Sequence, residues 1–278
     1  MPETIAAHLY DFPKYYDLVY GSDWKAEFDF LEACFRKHSL RPVRRVFEPA
    51  CGTGRLLIKF ANAGYSVAGN DLNKNAIQYC NDRLARFGHP RSAVVQDMAD
   101  FRLSPRCDAA YCPINSFRHL PSEKTAENHL RCVAEALNVG GLYILCLHLT
   151  PTRGERVNEE EWPARRGNLA VISRMWSASI NLKKRNEVVG MAFDIYTPTK
   201  SMRITDAMDY RTYTGKQMTA LLERVPEFEI AALYDFRYDL DEPITIDSRT
   251  EDVVFVLRKK KGNNGHANGH ANGRRRAR

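Results

Sequence analysis

The reading of this chain turns on Val46-Phe-Glu-Pro-Ala-Cys-Gly-Thr-Gly-Arg55. An apolar run ends on the acid Glu48. Small residues follow at Ala50, Cys51, Gly52 and Gly54, and a helical pattern begins near Thr53. Small residues let a backbone come close to a ligand, and the free N–H groups at a helix start favour a carboxylate or phosphate. A Gly-x-Gly pair is weak evidence, because ordinary turns supply it. Its weight comes from two further acids, Asp71 in Val67-Ala-Gly-Asn-Asp-Leu72 and Asp97 in Val94-Val-Gln-Asp-Met98. In a doubly wound sheet, an acid after the second strand can hold both hydroxyls of a ribose. Asp97 falls at the same sheet edge, where it could meet an adenine amino group.

Working outward, hydrophobic patterning predicts strands over 43–48, 65–69, 93–96, 107–112 and 142–149. Helices are predicted between them over 54–63, 75–87 and 123–137. This alternation with short connections implies an α/β fold, a parallel sheet covered on both faces. After Thr150 the rhythm changes. Residues 151–168 read as a polar surface loop, and strands over 169–180, 187–196 and 201–213 read as an antiparallel β insertion. A helix over 214–224, with Thr214 as its cap, and strands over 229–234 and 252–257 close the sheet. Upstream, an aromatic-rich stretch over 10–20 precedes a helix on which Trp24, Phe28, Leu31 and Phe35 recur at helical spacing. The expected division is a helical lid over 1–40, a core over 41–150 and 212–258, the insertion over 151–211 and a disordered basic tail over 259–278.

Composition narrows the class of protein. The 278 residues are 44% hydrophobic and 27% charged, the balance of a soluble globular chain. No apolar run approaches the ~18–20 residues that cross a bilayer. No basic segment followed by an apolar one marks a secretory signal, so a cytoplasmic location is expected. The net charge is +7, but eight basic residues and no acid lie in 258–278, which leaves 33 basic against 34 acidic residues in 1–257. The excess belongs to the tail, so nucleic acid is expected to bind weakly there, if at all. Seven cysteines stand without Cys-x-x-Cys or zinc-finger spacing, which reads as buried, reduced thiols and no metal site.

On Glu48-Pro-Ala-Cys-Gly-Thr-Gly54, Asp71 and Asp97-Met98, the sequence resembles the class I S-adenosylmethionine-dependent methyltransferases over roughly residues 10–258. Ala50 stands where that family's first motif has its first glycine. Leu137-Asn-Val-Gly-Gly-Leu142 resembles the turn before the family's fifth strand. The resemblance implies a Rossmann-like seven-stranded sheet ordered 3-2-1-4-5-7-6, strand seven antiparallel, with the insertion after strand five. It implies S-adenosylmethionine as cofactor, held by Tyr16, Glu48, Ala50, Cys51, Gly52, Thr53, Gly54, Asp71, Leu72, Asp97, Met98 and Pro113. A nicotinamide enzyme fits less well, because Pro49-Ala50-Cys51 crowds a turn where a dinucleotide fingerprint wants glycine.

The resemblance places the methyl acceptor beyond the fourth strand, at Tyr111-Cys-Pro-Ile-Asn-Ser-Phe-Arg-His119. Cys112-Pro-Ile-Asn115 departs from the Asn/Asp-Pro-Pro-aromatic motif of the nucleobase amino-methyltransferases, which argues against an adenine or glutamine amide acceptor. His119 and His148 are candidate proton acceptors, since histidine ordinarily titrates near neutrality. Tyr15, Tyr16, Tyr20 and Trp24 form a cluster in which Tyr16 and Tyr20 are the candidate lid over the cofactor and acceptor, Tyr20 with a catalytic role. Tyr20, Trp24, Asn115 and Phe117 are candidate acceptor contacts, and Arg174, Trp176, Phe193, Tyr196, Tyr210 and Arg211, on the insertion strands, would roof the acceptor pocket or make a homodimer interface. The residues leave both open. The expected activity is methyl transfer to a nitrogen or oxygen of a small molecule, with nitrogen favoured. The alternatives are a protein or RNA methyltransferase recruited by the tail, and a non-catalytic cofactor-binding regulator.

Overall fold

The computed structural model describes residues 3–154 and 159–261. In chain order the elements are β1 (Glu3–Ala6), α1 (Pro13–Tyr20), α2 (Lys25–His38), β2 (Arg45–Pro49), α3 (Leu57–Asn62), β3 (Ser66–Asp71), α4 (Lys74–Arg86), β4 (Ala93–Val95), β5 (Cys107–Cys112), α5 (Glu123–Ala136) and β6 (Leu137–His148). There follow β7 (Glu159–Arg166), β8 (Leu169–Asn181), β9 (Asn186–Tyr196), β10 (Ser201–Arg211), α6 (Gly215–Glu223), β11 (Phe228–Tyr234) and β12 (Asp252–Lys259). Short 3-10 turns occupy Leu9–Asp11 and Ser116–His119.

Seven strands form the core sheet in the order β11-β12-β6-β5-β2-β3-β4, and β12 runs antiparallel to both its neighbours. The central strands β5 and β6 are apolar almost throughout because helices cover both faces. One face packs Phe47, Leu130, Val133 and Phe255 against α5 and α6; the other packs Phe30, Phe35, Leu57 and Phe60 from α2 and α3. All seven cysteines are buried and unpaired. Side-chain caps fix the helix starts: Asn73 opens α4, while Ser122–Thr125 and Thr214–Gln217 close capping boxes on α5 and α6.

A second sheet, β1-β10-β9-β8-β7, lies over the C-terminal edge of the core and forms a roof. Several expectations change here. Residues 159–166 are a strand, not loop, because alternating Glu160, Trp162 and Ala164 face the roof's apolar inner side while Glu161, Pro163 and Arg165 face out. The N-terminal segment is not wholly helical, since β1 adds to the roof in parallel with β10. The helix expected from 54 starts three residues later; Gly52 and Gly54 hold positive φ and keep the chain in a turn. The strand expected to end at 257 continues to Lys259, whose Nζ donates to the Leu137 carbonyl (2.7 Å). The Arg-rich end of the tail, residues 262–278, lies outside the described residues. No helix among the described residues is long and apolar enough to cross a membrane.

His129 on α5 ties this core to the site. Its Nδ1 lies 2.8 Å from the Met98 carbonyl oxygen and its Nε2 lies 2.6 Å from Tyr143 Oη. Burial lowers its pKa from 6.5 to about 4. The folded state therefore requires the neutral ring. Its contribution to stability is complete above about pH 6.5 and is lost as pH falls through about 4. Unfolding free energy, followed by urea denaturation, is expected to fall across that window, and to fall less steeply in His129→Gln.

Candidate active site

A cavity of about 420 Å³ opens at the C-terminal ends of β2 and β3, lined by Ala50, Gly52, Thr53, Asp71, Leu72, Met98 and the N-terminal Tyr10 and Tyr16, among others. Asp71 is its fixed acid. The Gly52 N–H donates to Asp71 Oδ2 (2.9 Å) and the Asn73 N–H to Oδ1 (2.8 Å). Burial raises the Asp71 pKa, and these two donors oppose the shift. The loop above it holds unusual backbone. Ala50 has φ +53°, which explains why a glycine suits this place, and Gly52 has φ +50° with nothing within 4 Å of where a Cβ would sit. Gly54 also has positive φ, and a Cβ there would strike Cys80 Sγ.

Not every residue expected to line this cavity does so. Glu48 is buried behind the loop, where it accepts from Tyr111 Oη (3.2 Å). Burial raises its pKa, and Arg55 opposes the rise. Cys51 and Gly54 shape the turn from beneath. Asp97 accepts from the Ala99 N–H (2.7 Å) and so closes its own turn, while Met98 reaches the wall. Pro113 is buried outside the cavity lining. Conversely, His8, Tyr10, Asn73 and Ser116 line the cavity without having been singled out. Asn73 was legible as a helix cap, and Tyr10 as part of the aromatic stretch.

A second cavity, about 180 Å³, lies between the roof and the core edge. Asn115, His148 and Asp252 line it from below; Glu160, Glu187 and Tyr210 line it from the roof. His148 Nδ1 lies 2.6 Å from Asp252 Oδ1, and its backbone N–H donates to Asn115 Oδ1 (2.7 Å). Burial raises the Glu160 pKa; His148 opposes this, and Asp252 and Glu251 add to it.

The wall between the two cavities is aromatic. His119 lines the first cavity and meets Tyr210 of the second edge-on, with ring centres 4.7 Å apart. His119 Nε2 is hydrogen-bonded to Tyr10 Oη at 3.0 Å. Tyr16 packs on Tyr20, whose Oη lies 2.8 Å from Ser173 Oγ of the roof. Burial pushes His119 down to about 4, so the ring is neutral at physiological pH. Burial also raises the phenols of Tyr10, Tyr16, Tyr20 and Tyr210, keeping them protonated.

Strand parity corrects the remaining acceptor expectations. Val189, Met191 and Phe193 face inward on β9, so Gly190, Ala192, Asp194 and Tyr196 face out. Arg174 pairs with Glu161 and Asp194 on that outer face. Trp176 borders the second cavity, as expected, and its indole also lies over Gly190, directly across the ladder. Tyr196 is exposed, Arg211 reaches Glu123 and the Pro121 carbonyl, and Phe193 is core. Phe117 is fully buried against Tyr213 and His129. Trp24 packs on Phe28 beneath Lys59. The inward tryptophan is Trp162, 5.9 Å from Tyr20 and missed because its segment was read as loop.

A doubly wound core whose strand ends cradle a carboxylate, an open glycine face and an aromatic wall defines an enzyme that handles a nucleoside with an attached chain. The cavity is large enough for such a ligand, and the donor set fits: Asp71 suits ribose hydroxyls, and the aromatic wall suits a cation. Comparison with known proteins makes the class specific. Residues 46–141 match the model of a methyltransferase domain. The glycine/sarcosine N-methyltransferase of Halorhodospira halochloris is 30% identical over 138 residues, 48% of this chain and 49% of that protein. The fold matches a S-adenosylmethionine-dependent methyltransferase from Clostridium acetobutylicum, with TM-score 0.73 and 16% identity over 91% of this chain and all of that one. It also matches the sugar N-methyltransferase KedS8 from Streptoalloteichus, with TM-score 0.68 and 20% identity over 91% of this chain and 94% of that one. Residues 46–141 are a methyltransferase domain, the chain is an enzyme of the S-adenosylmethionine-dependent type, and S-adenosylmethionine is its cofactor.

Proposed function

We propose that the chain methylates a nitrogen of a small molecule held in the second cavity. The observation that carries this reading is the acidity of that cavity among the described residues: Glu159, Glu160, Glu187, Glu251 and Asp252 border it, and the one arginine among those described there, Arg118, pairs with Glu187. An acidic wall opposes ionisation of a hydroxyl, but it favours a nitrogen that becomes positively charged as it accepts a methyl group. A glycine/sarcosine N-methyltransferase and a sugar N-methyltransferase among the similar proteins agree with nitrogen. The core sheet is read as 3-2-1-4-5-7-6, with the roof inserted after its fifth strand.

In this reading Asp71 binds the ribose, Ala50, Gly52 and Thr53 supply a close backbone, and Leu72 and Met98 flank the adenine. S-adenosylmethionine supplies a methyl group already activated on a sulfonium. The chain has to orient the acceptor, exclude water and stabilise charge. The protonated phenols of Tyr10 and Tyr16 line the first cavity with neutral rings, not phenolates, and Tyr20, bonded to Ser173 of the roof, backs Tyr16. Neutral His119 holds Tyr10 in place.

The test uses matched acceptors, cyclohexylamine with cyclohexanol and aniline with phenol, incubated with methyl-labelled cofactor. Methylated amines and unreacted hydroxyl compounds are expected. Methylation of the hydroxyl compounds with the amines untouched would overturn the reading.

A further inference from the structure

The 3-10 turn Ser116–His119 is itself the partition. Asn115 and Arg118 border the second cavity, while Ser116 and His119 border the first. Its geometry is not self-sustaining: Ile114 and Asn115 just before it hold φ +46° and +62°, positions that non-glycine residues adopt at a cost. External contacts must hold it. One of them is the Asn115 bond to His148. His119 meets Tyr10 and Tyr210, Phe117 packs on Tyr213 and His129, and the polar links to the roof converge on Arg118, which is almost fully buried. Its Nη2 donates to Glu187 Oε2 on β9 (2.6 Å) and its Nε to the Arg211 carbonyl on β10 (3.2 Å). Its guanidinium also lies 5.0 Å from the Tyr210 ring centre. Glu187 is held in turn by Ser177 Oγ on β8 (2.6 Å). One guanidinium thus touches two roof strands directly and a third through its partner.

A buried ion pair is poor evidence for stability, since apolar replacements of the same size often serve as well. We infer that Arg118 is a positioning residue: by pinning the turn to the roof, it fixes His119 and Tyr210 at the boundary of the two cavities, where the acceptor nitrogen has to face the methyl group of the cofactor. The inference rests on the reading of the second cavity as the acceptor site, but its geometry does not. Lysine keeps the charge and loses the planar fork, so it separates electrostatics from geometry.

The test is an NMR titration of the ¹³C-labelled imidazole of His119 in the full chain, with S-adenosylhomocysteine affinity measured alongside. In the wild type the midpoint is expected at about 4, because burial disfavours the charged ring. In Arg118→Lys, which retains the positive charge, it is expected to rise toward ~6.5 as water reaches the ring. Affinity for S-adenosylhomocysteine should stay within about twofold, since Asp71 is untouched. The double variant Arg118→Met/Glu187→Met, which removes both charges of this pair, should fold and show the same rise. A midpoint that stays near 4 in Arg118→Lys, or in the double variant if the first does not fold, would overturn the inference. A raised midpoint in a protein that methylates no amine would leave the positioning role standing and remove the nitrogen reading.

Discussion

Asp71→Ala is expected to weaken S-adenosylmethionine and S-adenosylhomocysteine binding by about 1–3 kcal/mol, which is roughly 5- to 150-fold in Kd. Two effects add. The carboxylate that would take the ribose hydroxyls is gone, and the N–H groups of Gly52 and Asn73 lose the acceptor that ties the loop to the start of α4. Asp71→Asn keeps one oxygen for these donors and should fall between the variant and the wild type. Calorimetry gives the affinities, and a melting temperature close to wild type shows that the loss is local. Unchanged affinity in a folded Asp71→Ala protein would mean that the cofactor does not sit over β3.

Arg55→Met should have the largest effect on stability, a loss of about 3–5 kcal/mol, because it leaves buried acids without their cation. Arg55 pairs with Glu27, donates to the Asp23 carbonyl (2.8 Å) and attracts Glu48. Burial already raises the pKa of both Glu27 and Glu48 against that attraction. Without Arg55 both rise further. A carboxyl group raised in the folded state costs stability when it is ionised, and the cost disappears once pH falls below its unfolded value, near 4.5. The deficit of the variant should therefore be larger at pH 8 than at pH 5. Urea denaturation at the two pH values checks this, and an equal deficit at both would show that lost packing dominates. Adding Glu27→Gln to Arg55→Met should recover part of the loss.

The α/β core was legible because its signals are local. Val46–Phe47 and Ala109–Tyr111 are apolar runs bounded by turns, and Asn73, Ser122 and Thr214 are helix caps with a stated mechanism. The roof was less legible. On β8 and β9 a shift of one residue exchanges the faces, and only pairing fixes which set looks inward. Arg174 and Tyr196 were therefore singled out, while Trp162 and Glu160, hidden in a segment rich in charge, were not. Acids that look alike in sequence also part company in space: Asp71 lines the cofactor cavity, Glu48 lies behind it with Tyr111, and Asp97 closes its own turn. His119 and His148, two candidates for one role, belong to different cavities. None of these distinctions follows from residue type and spacing alone, because each depends on which neighbour takes up the side chain's hydrogen bonds.

A crystal structure of the chain with S-adenosylhomocysteine and cyclohexylamine tests the central claim most directly. The ribose is expected on Asp71 and the amine in the second cavity, its ring toward Glu160 and Asp252 and its nitrogen at the His119–Tyr210 boundary facing the first cavity. A ribose away from Asp71, or an amine bound outside that cavity, would contradict it.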